Sequence, residues 1–204
     1  MTQESPLNLV WHPGHVCRAE RAERLGQVPL TLWLTGLSAA GKSTLAFALE
    51  RALHERGRAC YVLDGDNVRH GLNRNLGFSP ADRSENIRRI AEVARLMNDA
   101  GLIVITAFIS PWRADRAAAR EIIGAASFLE VHVSTPLAVC EVRDPKGFYA
   151  QARRGELADF TGVSSPYEAP EQADLSIDTT QRSLADAVDQ LLQLLARAPM
   201  AAPP

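Results

Sequence analysis

The chain has 204 residues, of which 46% are hydrophobic, and it carries a formal net charge of −2. One α/β domain of this length can bury enough surface for a complete core, while the nearly neutral charge gives no electrostatic reason to expect nucleic acid or an anionic membrane as a partner. The longest apolar run, residues 102–109, is far too short to span a bilayer and predicts a buried strand instead.

The first 29 residues are expected to form a leader that packs on the core, without being a domain of their own. Residues 1–6 lack the charged and apolar regions of a signal peptide. The irregular chain around Trp11 is expected to pack this aromatic ring down. A short, charged helix is then predicted over Arg18–Leu25, closed by Gly26.

The three cysteines, Cys17, Cys60 and Cys140, are scattered along the chain and odd in number. No two of them have the spacing of metal ligands. Reduced thiols in a cytoplasmic protein are therefore the expectation.

The strongest motif lies between a predicted strand over residues 30–35 and a predicted helix that ends near Gly57. It consists of Gly36, Leu37, Ser38, Ala39, Ala40, Gly41, Lys42, Ser43 and Thr44. Two glycines separated by four residues and followed by Lys-Ser, between a strand and a helix, are typical of a phosphate-binding P-loop. Loop amides and the helix N-terminus attract phosphates, and Lys42 adds a full positive charge. The Ser43 hydroxyl can act as a ligand of the Mg²⁺ that accompanies the phosphates. A chance glycine-rich turn is the alternative.

Acidic residues follow the second predicted strand, residues 59–63, as Asp64-Gly65-Asp66. They stand at the carboxyl end of a strand, where open α/β sheets bind ligands. The third predicted strand, residues 102–108, carries no terminal acid of the Walker B kind. Asp64 is therefore the candidate for the carboxylate that organises Mg²⁺, and a solvated turn is the alternative.

A helix is predicted to begin at Ser79, a good N-cap, with Pro80 at its first position. Its core stripe is Ile87, Ile90, Ala94 and Met97. Arg83 and Asn86 are three residues apart and therefore face the same side of the first turn. Because a cation there opposes the helix dipole, Arg83 favours an anionic ligand, with an exposed and idle arginine as the alternative.

The second half of the chain continues the alternation of strands and helices. Ser110 follows the third strand and is placed for substrate contact, whereas Trp112 and His132 are expected to pack. Arginine and lysine side chains alternate with glycines over about residues 143–162. This composition predicts a lid that closes and brings cations over the transferred phosphate, and a solvated basic helix is the alternative. The remaining predictions are helices over residues 114–123 and 134–142, strands over residues 128–133 and 175–177, a last helix over residues 183–195, and a disordered tail over residues 198–204.

Five short strands alternating with helices predict one α/β domain over residues 30–197. The expected architecture is a P-loop NTPase fold with a five-stranded parallel sheet in the order 2-3-1-4-5, helices on both faces and a basic lid. Length and lid favour a small P-loop kinase. A GTPase would need an Asn-Lys-x-Asp sequence and a motor or transporter ATPase a Walker B acid on the third strand, and the sequence has neither. A kinase for nucleoside monophosphates or sugar acids and a non-catalytic nucleotide-binding module stay open as alternatives.

Several segments in order resemble the adenylylsulfate kinase family. They are residues 64–73, 76–79, 83–89, 108–111, 143–147, 160–162 and 165–168, and the resemblance extends from about residue 8 to residue 195. It implies an enzyme of sulfate assimilation that uses MgATP to phosphorylate the 3′-hydroxyl of adenosine 5′-phosphosulfate, giving 3′-phosphoadenylyl sulfate and ADP. We also expect a homodimer.

The resemblance implies a role for each matching residue. Residues 36–44 would hold ATP, with Mg²⁺ held by Ser43 and Asp64. The adenylylsulfate site would be lined by Asp66, Arg69, Phe78, Arg83, Asn86, Ile109, Ser110, Lys146 and Phe160.

Within that site the resemblance implies specific contacts. Phe78 and Phe160 would sandwich the adenine, and Arg69 and Arg83 would pair with the phosphosulfate. The catalytic residues would be Asp64, Lys42, Lys146 and Ser110, the last as the family's phosphorylatable serine and not as an obligatory intermediate. Two departures are Ala39, where the family commonly has glycine, and Trp112, where it commonly has tyrosine. The first is expected to perturb ATP affinity slightly.

Overall fold

The computed structural model describes residues 9–197. The strands are β1 (Thr31–Thr35), β2 (Cys60–Asp64), β3 (Ile103–Ala107), β4 (Phe128–Val133) and β5 (Leu175–Ile177). The helices are α1 (Arg18–Leu25), α2 (Lys42–Glu55), α3 (Pro80–Asp99), α4 (Arg113–Ile123), α5 (Leu137–Arg143), α6 (Phe148–Arg153) and α7 (Leu184–Arg197), with short 3-10 turns at Asn67–His70 and Ala125–Ser127. Strands and helices alternate as the sequence predicts.

The five strands form one parallel sheet in the order β2-β3-β1-β4-β5, which confirms the predicted order. β1 lies at its centre, where Thr31 is opposite Val104 on one side and Phe128 on the other. Because all the strands run the same way, their carboxyl ends meet at one edge. The loops that carry the predicted site residues are thereby gathered at that edge.

Alternating side chains of β1 enter two separate hydrophobic cores. Leu32 and Leu34 pack with apolar residues of α2 and α7. Trp33 points to the opposite face, stacks with Phe108 and Phe128, and packs with residues of α3 and α4. Burial on both faces explains why the central strands read as nearly continuous apolar runs.

The ends of two helices are set by the residues that the sequence suggests. The Ser79 hydroxyl accepts a hydrogen bond from the Asp82 amide at 3.2 Å and so caps α3. Gly26, with φ of +60°, ends α1 in the left-handed conformation that glycine tolerates. Along α3 the stripe of Ile87, Ile90 and Ala94 is buried, with Met97 packed against the same core.

The prediction that Trp11 packs down is wrong, because its side chain is 80% exposed. The leader is attached by polar contacts instead, with Arg18 donating to the Pro29 carbonyl and the Ser127 hydroxyl, both at 2.7 Å. No residue of α1 is buried either, so this helix lies on the surface of the core. The predictions for residues 1–8 and for the tail over residues 198–204 lie outside the described residues.

No helix within residues 9–197 combines the length and the apolar character needed to cross a membrane. The cysteines differ in their surroundings, since Cys17 is exposed, Cys60 half-buried and Cys140 buried. All three are free thiols.

Candidate active site

The carboxyl ends of the strands open into a cavity of about 810 Å³. Its walls come from the loop before α2, the turn after β2, the first turns of α3, the chain after β3, the chain after α5 and the start of α7. The predicted site residues that line it are Ser38, Ala39, Gly41, Lys42, Ser43, Thr44, Asp64, Asp66, Arg69, Phe78, Arg83, Asn86, Ile109, Ser110 and Lys146. Gly36, Leu37, Ala40 and Phe160 are not among its lining residues.

The loop between β1 and α2 depends on two glycines for its path. A Cβ atom on Gly36 would lie 2.5 Å from the Val133 carbonyl oxygen, so only glycine lets the loop pass β4. Gly41 has φ of +105° and directly precedes α2. Ala39 also lies in the left-handed region, with φ of +58°, where its Cβ is unfavourable.

Lys42 is buried at the start of α2 and points its ammonium group back into the loop. Its Nζ donates to the carbonyl oxygens of Gly36 at 2.9 Å and Leu37 at 2.7 Å. Burial lowers the pKa of Lys42 to about 8, and the nearby Asp64 and Asp66 oppose that fall. The loop therefore holds a desolvated cation where phosphates would approach.

The side chains of Ser43 and Asp64 meet across the cavity floor. The Ser43 hydroxyl donates to Asp64 Oδ2 at 2.7 Å. Asp64 Oδ1 accepts from the amides of Asp66 at 3.0 Å and Asn67 at 3.3 Å, which fixes the orientation of the carboxylate. The pair that the sequence predicts as Mg²⁺ ligands is thus brought together by two distant segments of chain.

A cationic cluster surrounds Phe78 on the other side of the cavity. The Arg69 guanidinium lies 4.3 Å from the centre of the Phe78 ring. Arg83 donates to the Phe78 carbonyl at 2.8 Å and to the Asp159 carbonyl at 2.7 Å. Burial lowers the pKa of both arginines, and for Arg83 the neighbouring Arg69 adds to the effect. The Phe78 ring itself is largely exposed and can offer a face to a ligand.

Asn86 lies beside this cluster on the first turns of α3 and is buried except for its contact with the cavity. Its Oδ1 accepts from Asn73 Nδ2 at 2.9 Å. No hydrogen bond within the part of the chain that the structure describes occupies the side-chain nitrogen of Asn86, and the residue lines the cavity.

Ser110 occupies a constrained turn after β3, with φ of +39°. Its hydroxyl accepts from Trp33 Nε1 at 3.1 Å, and its carbonyl accepts from Arg116 Nη1 at 2.6 Å. Thr35 donates to the carbonyl of the preceding residue, Ile109, at 2.7 Å. These contacts hold the 109–110 wall in place, and Ser110 as a whole residue is 2% exposed.

Phe160, the second predicted partner of the adenine, is 7% exposed and is not among the residues that line the cavity. It packs edge-on against Tyr149, with ring centres 4.9 Å apart, and also meets Phe148. Tyr149 in turn donates to the Ser38 carbonyl at 3.1 Å, which ties this aromatic group to the phosphate-binding loop. Arg83 contacts both the Phe78 carbonyl and the carbonyl of Asp159, the residue before Phe160, so the segments that carry the two aromatic rings meet at one guanidinium.

The predicted basic lid divides into two parts. Arg143 and Lys146 line the cavity, and the Lys146 ammonium pairs with the Asp66 carboxylate. Arg153 pairs with Glu141 and Arg154 with Glu156 on the exposed surface, as the alternative of a solvated basic helix describes. Among the described residues of the predicted lid, Arg143 and Lys146 are the cations that line the cavity.

One wall of the cavity was not identified from the sequence. It consists of Thr179, Arg182, Ser183, Leu184 and Ala187, at and before the start of α7. Arg143 Nη1 donates to Thr179 Oγ1 at 2.8 Å and so joins this wall to the lid. The available signal was its position, because Thr179 closely follows β5 at the ligand-binding edge of the sheet.

Comparison with known proteins places these features in context. The family model described as adenylylsulphate kinase matches residues 28–178. An adenylyl-sulfate kinase of Shewanella oneidensis is 61% identical over 188 residues, which are 92% of this chain and 92% of that protein.

Among solved structures, the APS kinase of Mycobacterium tuberculosis in complex with AMPPNP and APS is 49% identical, with a TM-score of 0.81. The match covers 83% of this chain and 99% of that one. A hexameric APS kinase from Thiobacillus denitrificans is 40% identical, with a TM-score of 0.62, over 82% of this chain and 28% of that chain.

Proposed function

The chain belongs to the adenylylsulphate kinase family and is an ATP-dependent kinase, and from that premise we propose how its cavity carries out the reaction. The reaction is transfer of the γ-phosphoryl group of MgATP to the 3′-hydroxyl of adenosine 5′-phosphosulfate, which gives 3′-phosphoadenylyl sulfate and ADP. The observation that carries this assignment is one cavity with a phosphate loop on one side and an arginine-flanked aromatic ring on the other.

The donor half is the loop over residues 36–44, with the wall at the start of α7 beside it. The helix N-terminus and the loop amides bind the phosphates of ATP, and Lys42 exchanges its carbonyl acceptors for phosphate oxygens. The hydroxyl of Ser43 and the carboxylate of Asp64, 2.7 Å apart, are the hard oxygen donors that Mg²⁺ prefers. These two residues therefore fit the cation, which when bound neutralises charge on the β- and γ-phosphates.

The acceptor half is built from Arg69, Phe78, Arg83 and Asn86. Arg83 uses three of its five N–H donors within the chain, so two are left for the phosphosulfate. The exposed Phe78 ring stacks on the adenine from one side. Phe160 stays the predicted partner on the other side of the adenine, and its ring here packs against Tyr149 and Phe148.

Phosphoryl transfer passes through a loose transition state, so positioning and charge neutralisation matter more than a strong base. Asp64 orients the 3′-hydroxyl and accepts its proton. Lys42 and Lys146 stabilise charge on the transferred group, for which Lys146 must leave its partner Asp66. Ser110 supports the wall through its contacts with Trp33 and Arg116, and direct transfer to the 3′-hydroxyl requires no phosphorylated form of this serine.

We infer a homodimer, supported by the exposed apolar side chains of Leu9, Val10 and Trp11, which a second copy could cover. A cytoplasmic location is supported by the three free thiols. Light scattering on the purified chain tests the first, because a monomeric mass at micromolar concentration would contradict it.

A coupled ADP-release assay across acceptors tests the reaction. We expect turnover with adenosine 5′-phosphosulfate and at most a trace with AMP, gluconate or no acceptor. Turnover with AMP or gluconate but not with adenosine 5′-phosphosulfate would favour another small-molecule kinase. ATP binding without ADP release for any acceptor would favour a nucleotide-binding module.

A further inference from the structure

We propose that Asn73 is a positioning residue that fixes the amide of Asn86, so that the Asn86 NH₂ group points at the acceptor nucleotide. Asn73 is not part of the cavity wall and acts only through its neighbour. The proposal rests on the proposed function, since it assigns Asn86 to the binding of adenosine 5′-phosphosulfate.

The contact between the two amides carries the argument. Asn73 Nδ2 donates to Asn86 Oδ1 at 2.9 Å, with Asn73 fully buried and Asn86 5% exposed. A side-chain amide has its acceptor on one branch and its donors on the other. Occupation of Oδ1 by Asn73 therefore turns the donor branch of Asn86 toward the cavity, where the phosphosulfate oxygens and ring nitrogens of a nucleotide are acceptors.

Asn73 is itself held by the loop that builds the acceptor half. The backbone N–H of Asn73 donates to the Val68 carbonyl at 2.9 Å, and the backbone carbonyl of Asn73 accepts from the Leu76 N–H at 3.1 Å. The carbonyls of Leu76 and Gly77 also accept from Arg69, each at 3.0 Å. One loop therefore sets both Arg69 and, through Asn73, the amide of Asn86.

The other branch of the Asn73 amide shows that this side chain does more than fill space. Asn73 Oδ1 is buried and has no hydrogen-bond partner among the described residues. A buried polar atom without a partner costs free energy that an apolar side chain of similar size would avoid. Packing alone would therefore favour an apolar side chain at position 73. The hydrogen bond to Asn86 explains why an asparagine is present there.

The decisive variant is Asn73→Leu, which keeps the volume and removes the donor. We expect a thermal midpoint close to that of the original chain, because the unpaired Asn73 Oδ1 is removed while the buried Asn86 Oδ1 loses its donor. KM for adenosine 5′-phosphosulfate should rise about five- to tenfold, the size of one lost hydrogen bond. KM for ATP stays within twofold. If Asn73→Leu does not fold, Asn73→Ser is measured in the same way.

The matched control is Asn75→Ala, in the same loop. Asn75 is exposed, and its Oδ1 accepts from Arg89 Nη1 at 2.9 Å, away from the cavity. This variant should leave both KM values unchanged.

A double-mutant cycle with Asn86→Ala separates positioning from a general structural role. If Asn73 acts through Asn86, Asn73→Leu adds less than twofold to KM for adenosine 5′-phosphosulfate in the Asn86→Ala background. An unchanged KM in the single variant, or the same rise in both backgrounds, would overturn the proposal. Failure of the unaltered chain to phosphorylate adenosine 5′-phosphosulfate would instead overturn the proposed function.

Discussion

Asp64 uses its two carboxylate oxygens for different partners. Oδ1 is held by the amides of Asp66 and Asn67, and Oδ2 faces the Ser43 hydroxyl at the start of α2. The first set of bonds removes rotational freedom from the carboxylate, so Oδ2 is directed at the phosphate end of the cavity before any ligand arrives. Such preorganisation is the general means by which enzymes lower the cost of charge rearrangement.

Replacing Asp64 by alanine removes both the directed oxygen and the predicted cation ligand. We expect kcat to fall by at least about 100-fold, a typical loss for an acid–base or metal-organising group. The control is Asp99→Ala, since Asp99 pairs with Arg21 on the surface and should affect turnover little. Steady-state kinetics at saturating substrates decide, and near-normal turnover of Asp64→Ala would remove this residue from the mechanism.

Lys42 gives the activity a pH dependence. Burial lowers its pKa from 10.5 to about 8, so the free enzyme loses this charge as the pH rises through that value. Since kcat/KM reports the ionisation of the free enzyme, kcat/KM for ATP should decline above about pH 8, by up to about tenfold per pH unit. At saturating ATP, kcat/KM for the acceptor should lack this decline, because bound phosphate keeps Lys42 charged.

The same shift has a consequence for stability. Between pH 8 and 10.5 the unfolded chain binds more protons at Lys42 than the folded chain does. The contribution of this residue to the free energy of unfolding therefore rises with pH across that window.

The kinetic prediction for Lys42 has its own contrary outcome. A flat kcat/KM for ATP from pH 7.5 to pH 9.5 would contradict the assigned role of the lysine.

Ala39 carries a backbone cost within the phosphate-binding loop. A non-glycine residue in the left-handed region costs about 1 kcal/mol, and Ala39 has φ of +58°. Ala39→Gly should therefore raise the thermal midpoint by about 1–3 °C and leave ATP affinity equal or slightly tighter. Ala40→Gly is the matched control, because Ala40 is not among the positive-φ residues and the change there should lower the midpoint. A lower midpoint for Ala39→Gly would be inconsistent with strain at this residue.

At the scale of elements, Arg116 of α4 joins three parts of the fold. It donates to Glu130 on β4 at 2.6 Å, to the Ser110 carbonyl after β3 at 2.6 Å, and to the Glu168 carbonyl at 2.7 Å. The Arg116 side chain is 3% exposed, so all of these contacts are shielded from water. The helix therefore supports the strained turn at the acceptor wall through one desolvated guanidinium.

Arg116→Met should lower the free energy of unfolding by about 3–5 kcal/mol, because it leaves Glu130 buried without its partner. The double variant Arg116→Met with Glu130→Gln should recover a large part of that loss. Arg88→Met, at an exposed pair with Glu85, should cost about 0.5 kcal/mol or less. Urea denaturation measures the free energy of unfolding of the three variants. Equal decreases for Arg116→Met and Arg88→Met would show that the buried ion pair stabilises the fold no more than the exposed one.

Elements whose signals are local could be predicted from the sequence. The bounds of α1, β4 and β5 match the predictions, and the cap at Ser79 and the phosphate-binding loop are properties of consecutive residues. The meeting of Ser43 with Asp64 could also be predicted, because the parallel order brings the carboxyl ends of the strands together.

Features that depend on packing between distant segments could not be predicted. The Phe160 ring packs against Tyr149 and Phe148, and its own short motif does not specify these neighbours. Trp11 is a large apolar residue that the leader leaves exposed. The hydrogen bond from Asn73 to Asn86 likewise appears only when the loop is folded against α3.

At the scale of the whole molecule, the cavity joins surfaces that lie on opposite faces of the sheet. α2 and α7 belong to the core on one face, α3 and α4 to the core on the other, and both pairs of helices border or support the cavity. A formal net charge of −2 coexists with a site lined by Lys42, Arg69, Arg83, Arg143, Lys146 and Arg182. Recognition of polyanions therefore depends on local concentration of cations, and the overall charge contributes little.

The central position of β1 also bears on how the molecule folds. Its two neighbours, β3 and β4, are paired through residues such as Val104 and Phe128, more than 70 positions along the chain from Thr31. Contacts between residues so far apart slow folding, because the entropy of closing long loops must be lost first. Gly36 passes directly over Val133 of β4, so we expect the phosphate-binding loop to reach its final shape after β4 has docked. Competence to bind nucleotide should therefore appear late in refolding, after most helices have formed.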